Sequence, residues 1–164
     1  MTQFLSEPLD RHDRSAFRSG NDRIDRYFQT GVTQDIRRRY VTCDVLVEAT
    51  TGRLAGFHTL SAHSVGLGDL PSSLTKKLPR YPTVPAILLG WFGRDLAFRG
   101  QGVGELLLFD AIRKADTASV AAYAVIADPI DPAAAAFYRR FGFIELTNGR
   151  LFLTLASARD SLPR

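Results

Sequence analysis

Residues 86–95 form a long, nearly continuous apolar run, and Arg99-Gly100-Gln101-Gly102-Val103-Gly104 follows it almost at once. A helical pattern then continues to about Ala115, with Val103, Leu106, Leu107 and residues 109–112 on its core side. Continuous apolar character predicts a central strand buried on both faces. Between that strand and the helix, glycines permit positive φ and let backbone approach a ligand closely. The helix opens with unpaired N–H groups and a partial positive charge, so the segment reads as a phosphate cradle. It lacks the Gly-Lys-Ser/Thr ending of a nucleotide-triphosphate loop. Its glycines fall at every second position and miss the Gly-x-Gly-x-x-Gly dinucleotide spacing. No βαβ unit precedes it. The chemistry implied is a pyrophosphate other than that of ATP or a dinucleotide; a glycine-rich turn without a ligand is the alternative.

The rest of the chain reads as a mixed α/β domain. Residues 4–9 are a short first strand and 13–18 a short helix ended at Gly20. Asn21 is an N-cap for a helix carrying Ile24, Tyr27, Phe28, Gly31, Val32 and Ile36 at helical spacing. Residues 41–48 and 53–64 form a hairpin about Thr51-Gly52. Residues 66–81 are a loop with a short helix at 72–78, and 119–127 are a strand. Asp131 or Asp128 caps a helix over 132–140, with proline in its first turn and Gly142 as its stop. Final strands at 143–146 and 150–155 flank the turn pair Asn148-Gly149.

At 164 residues, with 45% hydrophobic and 23% charged content, the chain is neither wholly disordered nor collagen-like. Scaling buries about two-thirds of its surface, enough for one core, so a single domain over 1–164 is expected. The net charge is +4, and only Lys76, Lys77 and Lys114 among the 21 cations are lysines. Arginine forks onto phosphate and stacks on flat groups, so this surplus suits an anionic partner, or only solubility. Cys43 is the only cysteine, which excludes an internal disulfide and a cysteine-based metal site. His12, His58 and His63 do not fall at zinc-ligand spacing, and no metal is expected. Residues 1–7 lack the basic start and apolar stretch of a signal peptide. No apolar stretch approaches the ~20 residues that span a bilayer. The expected address is the cytoplasm, with no membrane partner.

Two motifs together resemble the GNAT family of N-acetyltransferases. Arg99, Gly102 and Gly104 match the family's Gln/Arg-x-x-Gly-x-Gly/Ala loop. Downstream, Asp131-x-x-Ala134-x-x-Phe137-Tyr138-x-x-Phe141-Gly142-Phe143 resembles its Asn-x-x-Ala-x-x-Phe-Tyr-x-x-x-Gly-Phe helix. A closer resemblance is to the GNAT toxins of toxin–antitoxin modules. It rests on Phe17, Gly20-Asn21, Ile24-Asp25, Arg26-Tyr27-Phe28, Arg37-Arg38-Arg39, Gly56-Phe57-His58-Thr59-Leu60-Ser61, and the segment Leu78-Pro79-Arg80-Tyr81-Pro82-Thr83-Val84-Pro85-Ala86. It covers roughly residues 5–155. Two departures stand out: Phe92-Gly93-Arg94 replaces the usual Leu-Ala-Val before the loop, and Asp131 replaces Asn.

The resemblance implies a mixed, mostly antiparallel splayed sheet with helices on both faces. It implies acetyl-CoA held by Phe92, Gly93, Arg94, the loop Arg99, Gly100, Gln101, Gly102, Val103 and Gly104, and by Asp131, Ala134 and Phe137. Tyr138 becomes the acid that protonates the departing sulfur; the alternative is an amphipathic core tyrosine. A backbone N–H at 92–94 is the expected oxyanion donor. The acceptor implied is the α-amine of an aminoacyl-tRNA, with Arg37, Arg38, Lys76, Lys77 and Arg80 on RNA phosphates; solvated cations at a helix end are the alternative. A protein antitoxin and a homodimer are implied as well. A small-molecule or protein amine as acceptor, or an inactive domain that only binds, stays open. His58 is read as structural or as facing the acceptor, Cys43 as a small buried apolar residue, and Trp91 as core or cofactor-wall packing.

Overall fold

The computed structural model describes residues 2–162. Seven strands follow the order β1-β2-β3-β4-β5-β7-β6. They are β1 (Phe4–Pro8), β2 (Thr42–Glu48), β3 (Leu54–Gly66), β4 (Thr83–Arg94), β5 (Ala124–Ala127), β6 (Ile144–Glu145) and β7 (Leu151–Thr154). The β1–β2, β2–β3, β5–β7 and β6–β7 pairs are antiparallel and β4–β5 is parallel. The helices are α1 (Asp22–Arg26), α2 (Val32–Arg37), α3 (Ser72–Thr75), α4 (Val103–Thr117), α5 (Pro132–Arg140) and α6 (Leu155–Ser161). No described helix is long and apolar enough to cross a membrane.

The chain divides into two compact units. The first holds the residues through Ser61 together with Gly90–Ala111; the second holds Ala62–Leu89 and the residues from Ile112 onward.

In the first unit Phe17, Ile24, Phe28, Val32, Cys43, Val45, Val47 and Phe57 form one core. Phe28 stacks on Phe57 at 4.1 Å, and Phe17 meets both rings edge-on. A second cluster, Leu46, Ala55, Phe98, Val103 and Leu107, holds the foot of α4. Asn21 caps α1 by accepting from the N–H groups of Arg23 and Ile24. Between α1 and α2 the helix widens into a π-turn, Tyr27–Gly31, where the Val32 N–H reaches back to the Tyr27 carbonyl. Glycine at 31 leaves room for the Tyr27 ring, which a Cβ there would crowd at 3.1 Å. That ring lies flat on Trp91 of β4 at 4.1 Å, and its hydroxyl donates to Asp35 at 2.9 Å.

In the second unit the core is Val65, Leu70, Val84, Ala86, Ala124, Ile126, Leu146 and Phe152. All four β5 residues are buried, and β5 is flanked by β4 and β7. Asp131 caps α5 through a 2.7 Å bond from the Ala134 N–H. Gly142, at φ +96°, ends it.

Several expectations need correction. Residues 13–18 are not helical. There Asp13 accepts from the N–H and hydroxyl of Ser15, and Arg14 and Arg18 bond backbone carbonyls, so side chains satisfy the local polar groups instead of a helix. The strand expected over 119–127 is ordered as a strand only from Ala124, and the helix expected over 72–78 stops at Thr75. Strand β4 is not buried on both faces: Pro85 and Gly90 are exposed, and Ile87, Leu88, Trp91 and Phe92 are half-buried. Helix α6 was not anticipated; the Thr154 hydroxyl caps it by accepting from the Ser157 N–H.

Gly56 is held by steric necessity. A Cβ there would sit 2.4 Å from Leu107 Cδ1 and 2.9 Å from the Gly93 carbonyl oxygen, and the carbonyl belongs to backbone. Gly56→Ala is expected to lower unfolding free energy by about 1–3 kcal/mol, the usual cost of overpacking. Urea denaturation with an unchanged m-value checks it.

Candidate active site

The strand-to-helix segment of the first unit begins at Asp95, whose buried carboxylate caps a short 3₁₀ turn, Leu96–Phe98. Arg99, Gly100, Gln101 and Gly102 then lie exposed. Gly100 and Gly102 take φ of +78° and +74°, the left-handed region that favours glycine. No heavy atom stands within 4 Å of where a Cβ would be at either one. The first bond of α4 runs from the Leu106 N–H to the Gly102 carbonyl. The N–H groups of Gly102, Val103 and Gly104 therefore have no intrahelical acceptor. Val103 is fully buried, so only its backbone is available to a ligand. The Arg99 guanidinium has no hydrogen-bond or ion-pair partner among the described residues. An open glycine backbone, unpaired N–H groups, a helix N-terminus and a free guanidinium fit a pyrophosphate.

Upstream on β4, Phe92 packs against the Phe98, Val103 and Leu107 cluster. Gly93 is buried, and a Cβ there would meet Ile24 Cγ2 and Phe57 Cε1, both at 2.9 Å. Arg94 is half-buried, and its Nε is buried without a hydrogen-bond partner among the described residues. In the same unit His58 is fully buried, with Nε2 2.7 Å from Asp110 Oδ2; the Ser6 hydroxyl donates to the same oxygen at 2.9 Å. The other ring nitrogen, Nδ1, is buried without a hydrogen-bond partner among the described residues. Cys43 is buried, as expected.

In the second unit α5 carries Ala134 and Phe137, both half-buried, and Tyr138, which is 6% exposed. The Tyr138 ring lies between Phe137 and Phe143, at 5.6 and 5.3 Å. Burial raises its phenol above the usual value, and the negative charge of Asp128 raises it further. Asp128 is itself held by a two-point ion pair with Arg150, at 2.7 and 3.1 Å. His63 feels both partners: burial and the Arg150 charge lower its pKa, and Asp128 opposes them. The grouping of Asp128, Arg150 and His63 escaped the sequence reading, which named Asp128 only as an alternative helix cap. Asp128 follows β5, Arg150 precedes β7 and His63 lies within β3, and no local spacing links them.

The cations expected on RNA are all exposed: Arg37 and Arg38 where α2 ends, and Lys76, Lys77 and Arg80 beyond α3. None has a side-chain hydrogen bond or ion pair among the described residues.

Residues 95–152 match the family model described as an acetyltransferase (GNAT) domain. The chain is 30% identical to the probable toxin TacT of Sinorhizobium fredii, over 95% of this chain and 93% of that protein. It is 32% identical to a tRNA-acetylating toxin of Mycobacterium tuberculosis, over 82% of this chain and 80% of that one. A solved structure of AtaT complexed with acetyl-methionyl-tRNAfMet aligns with a TM-score of 0.87 at 26% identity, over 96% of this chain and 98% of that one. The fold, the family match and the curated relatives together define an acetyltransferase. The chain belongs to the GNAT N-acetyltransferases, in the group of the GNAT toxins.

Both Tyr138 and Tyr27 have phenols raised above the ordinary value of 10, Tyr27 by burial and by its bond to Asp35. Above pH 10 the unfolded chain loses these protons while the folded chain keeps them. The folded state then binds more protons, so stability falls as pH rises. Urea midpoints are expected to be flat through pH 9 and to drop above about pH 10, and Tyr27→Phe is expected to shallow that drop.

Proposed function

We propose that this protein transfers the acetyl group of acetyl-CoA to the α-amine of an aminoacyl-tRNA and acts as a toxin by blocking translation. The observation that carries the acceptor is the set of exposed, unpartnered cations at Arg37, Arg38, Lys76, Lys77 and Arg80. A small amine needs no such surface, whereas RNA phosphates do. The relatives' described activity supports the same acceptor.

Acetyl-CoA supplies a thioester whose acetyl carbon accepts the amine nitrogen and whose carbon–sulfur bond then breaks. The N–H groups of Gly102, Val103 and Gly104, with Arg99, hold the pyrophosphate. Phe92, Gly93 and Arg94 line the strand that leads to it, and a backbone N–H of that strand steadies the oxyanion. Asp131, Ala134 and Phe137 complete the cofactor contacts. Tyr138 keeps its proton across the physiological range because its phenol is buried near Asp128, and it delivers that proton to the departing sulfur; the attacking nitrogen gives up its own proton to water as the amide forms, and Tyr138 regains one from solvent. The acceptor's α-amine has an ordinary pKa near 8, so a sizeable neutral fraction exists without an enzymatic base. The protein works in the cytoplasm as a single domain and a homodimer. An antitoxin presenting acidic residues neutralises it by covering the same cations.

The test incubates purified protein with labelled acetyl-CoA and total charged tRNA. Label is expected on aminoacyl-tRNA, and Tyr138→Phe is expected to lower kcat by about 10²-fold or more with little change in the KM for tRNA. Acetyl-CoA binding without labelled RNA would move the acceptor to a small-molecule or protein amine. The KM for tRNA is expected to rise steeply with salt, and Arg37→Glu with Arg38→Glu should shallow that dependence by about one to two log units per log unit of salt.

A further inference from the structure

The end of α2 breaks two local rules at adjacent residues. The Tyr40 N–H donates to the Asp35 carbonyl at 2.9 Å, and the Arg39 N–H to the Ile36 carbonyl at 3.0 Å. This is the paired closure of a Schellman motif, which places one residue in the left-handed region, usually glycine. Here that residue is Arg39, at φ +61°, the only described non-glycine residue with positive φ. An L side chain in that conformation crowds its own backbone, so arginine carries a penalty that glycine avoids. The following residue in such a motif commonly folds an apolar side chain back onto the helix. Tyr40 does not: it is 70% exposed and has no ring contact or side-chain hydrogen bond among the described residues. Arg39 is exposed and equally unpartnered. The neighbouring carboxylate, Asp35, is engaged by the Tyr27 hydroxyl. Stability is thus given up at two successive positions, and each time the result is a recognition group left in solvent.

We propose that Arg39 and Tyr40 form a contact site for an unpaired nucleotide of the RNA substrate, with Tyr40 stacked on a base and Arg39 on the adjacent phosphate. The inference rests on the aminoacyl-tRNA reading and names a subsite within it. Exposed aromatics that stack bases, set among cations that track the backbone, are how proteins hold single-stranded RNA. The strained turn fixes where the chain leaves α2 and hence where the ring stands. The arginine at the strained position keeps its charge beside the ring.

Four proteins test this: wild type, Tyr40→Ala, Tyr40→Phe and Arg39→Gly. Equilibrium binding of total tRNA, the KM for charged tRNA, the KM for acetyl-CoA and Tm are measured on each. Tyr40→Ala is expected to weaken tRNA binding and raise its KM by about 5- to 50-fold, and Tyr40→Phe to stay within about twofold of wild type, because stacking needs the ring and not the hydroxyl. Arg39→Gly is expected to raise Tm by about 2–4 °C while weakening tRNA binding severalfold and reducing its salt slope by about 0.7–0.9. A more stable variant that binds RNA less well cannot owe the loss to unfolding. The KM for acetyl-CoA should stay unchanged throughout. Wild-type tRNA affinity in both Tyr40→Ala and Arg39→Gly would overturn the subsite and leave the aminoacyl-tRNA reading standing. If wild type acetylates no RNA but its tRNA binding still falls in both variants, the subsite stands and the acceptor reading fails.

Discussion

The first unit turns on the buried carboxylate of Asp95. One oxygen accepts the Arg18 N–H at 3.0 Å and the other accepts the Ala97 N–H at 2.8 Å. Its own N–H donates to the Ala55 carbonyl, and the next N–H donates to the Arg18 carbonyl, both at 2.8 Å. Four bonds around one residue therefore tie the segment before α1, strand β3 and the end of β4 to a single point. A buried carboxylate is tolerated there because charge-assisted bonds from backbone N–H groups replace its lost hydration. The consequence is directional. Asp95 sets the 3₁₀ turn, the turn sets the exit toward Arg99, and Gly100 and Gly102 can then present backbone outward.

That dependence explains which parts of the fold were legible in the sequence. Asn21 and Asp131 as caps, the Thr51-Gly52 turn, α4 and α5 all follow from local chemistry: a side-chain oxygen for orphan N–H groups, glycine for positive φ, apolar residues at helical spacing. The positive-φ backbone of the loop and the place of Tyr138 on α5 were legible because the glycine spacing and the aromatic helix pattern are written contiguously. Asp95 was not. Its partners are Arg18 and Ala55, far away along the chain, and a lone Asp after a strand looks like any turn residue. The Asp128–Arg150 pair was hidden for the same reason. The helix expected over 13–18 failed because Asp13, Ser15, Arg14 and Arg18 are polar enough to satisfy backbone in an irregular path, and composition alone does not show that choice.

The π-turn between α1 and α2 is a second feature that periodicity conceals. Ile24, Phe28 and Val32 keep helical spacing, so the pattern reads as one regular helix, yet one carbonyl reaches a residue five positions on. The extra width lets Tyr27 leave the helix face and lie on Trp91, which also has the Arg23 guanidinium 5.6 Å from its ring centre. Trp91 is therefore wall material for β4, held by residues of α1 and the π-turn. A short helix with a widened turn fixes an aromatic on the strand that runs into the loop, and π-turns often occur beside functional sites.

The replacement of Leu-Ala-Val by Phe92-Gly93-Arg94 also becomes intelligible residue by residue. Phe92 joins Phe98, Val103 and Leu107, an apolar cluster that accepts an aromatic as readily as an aliphatic side chain. At 93 the Ile24 side chain and the Phe57 ring fill the space a methyl would need, so the core on that side requires glycine. The two residues thus answer to different core clusters. Arg94 stands apart: its Nε is buried and unpaired among the described residues, a configuration that packing does not favour. A strand that recognises a ligand through N–H and C=O groups constrains only backbone, and each side chain is free to follow its own neighbours. Two residues of this segment, Phe92 and Gly93, are therefore records of core packing. Only Arg94, which no neighbour demands, is left for ligand chemistry to explain.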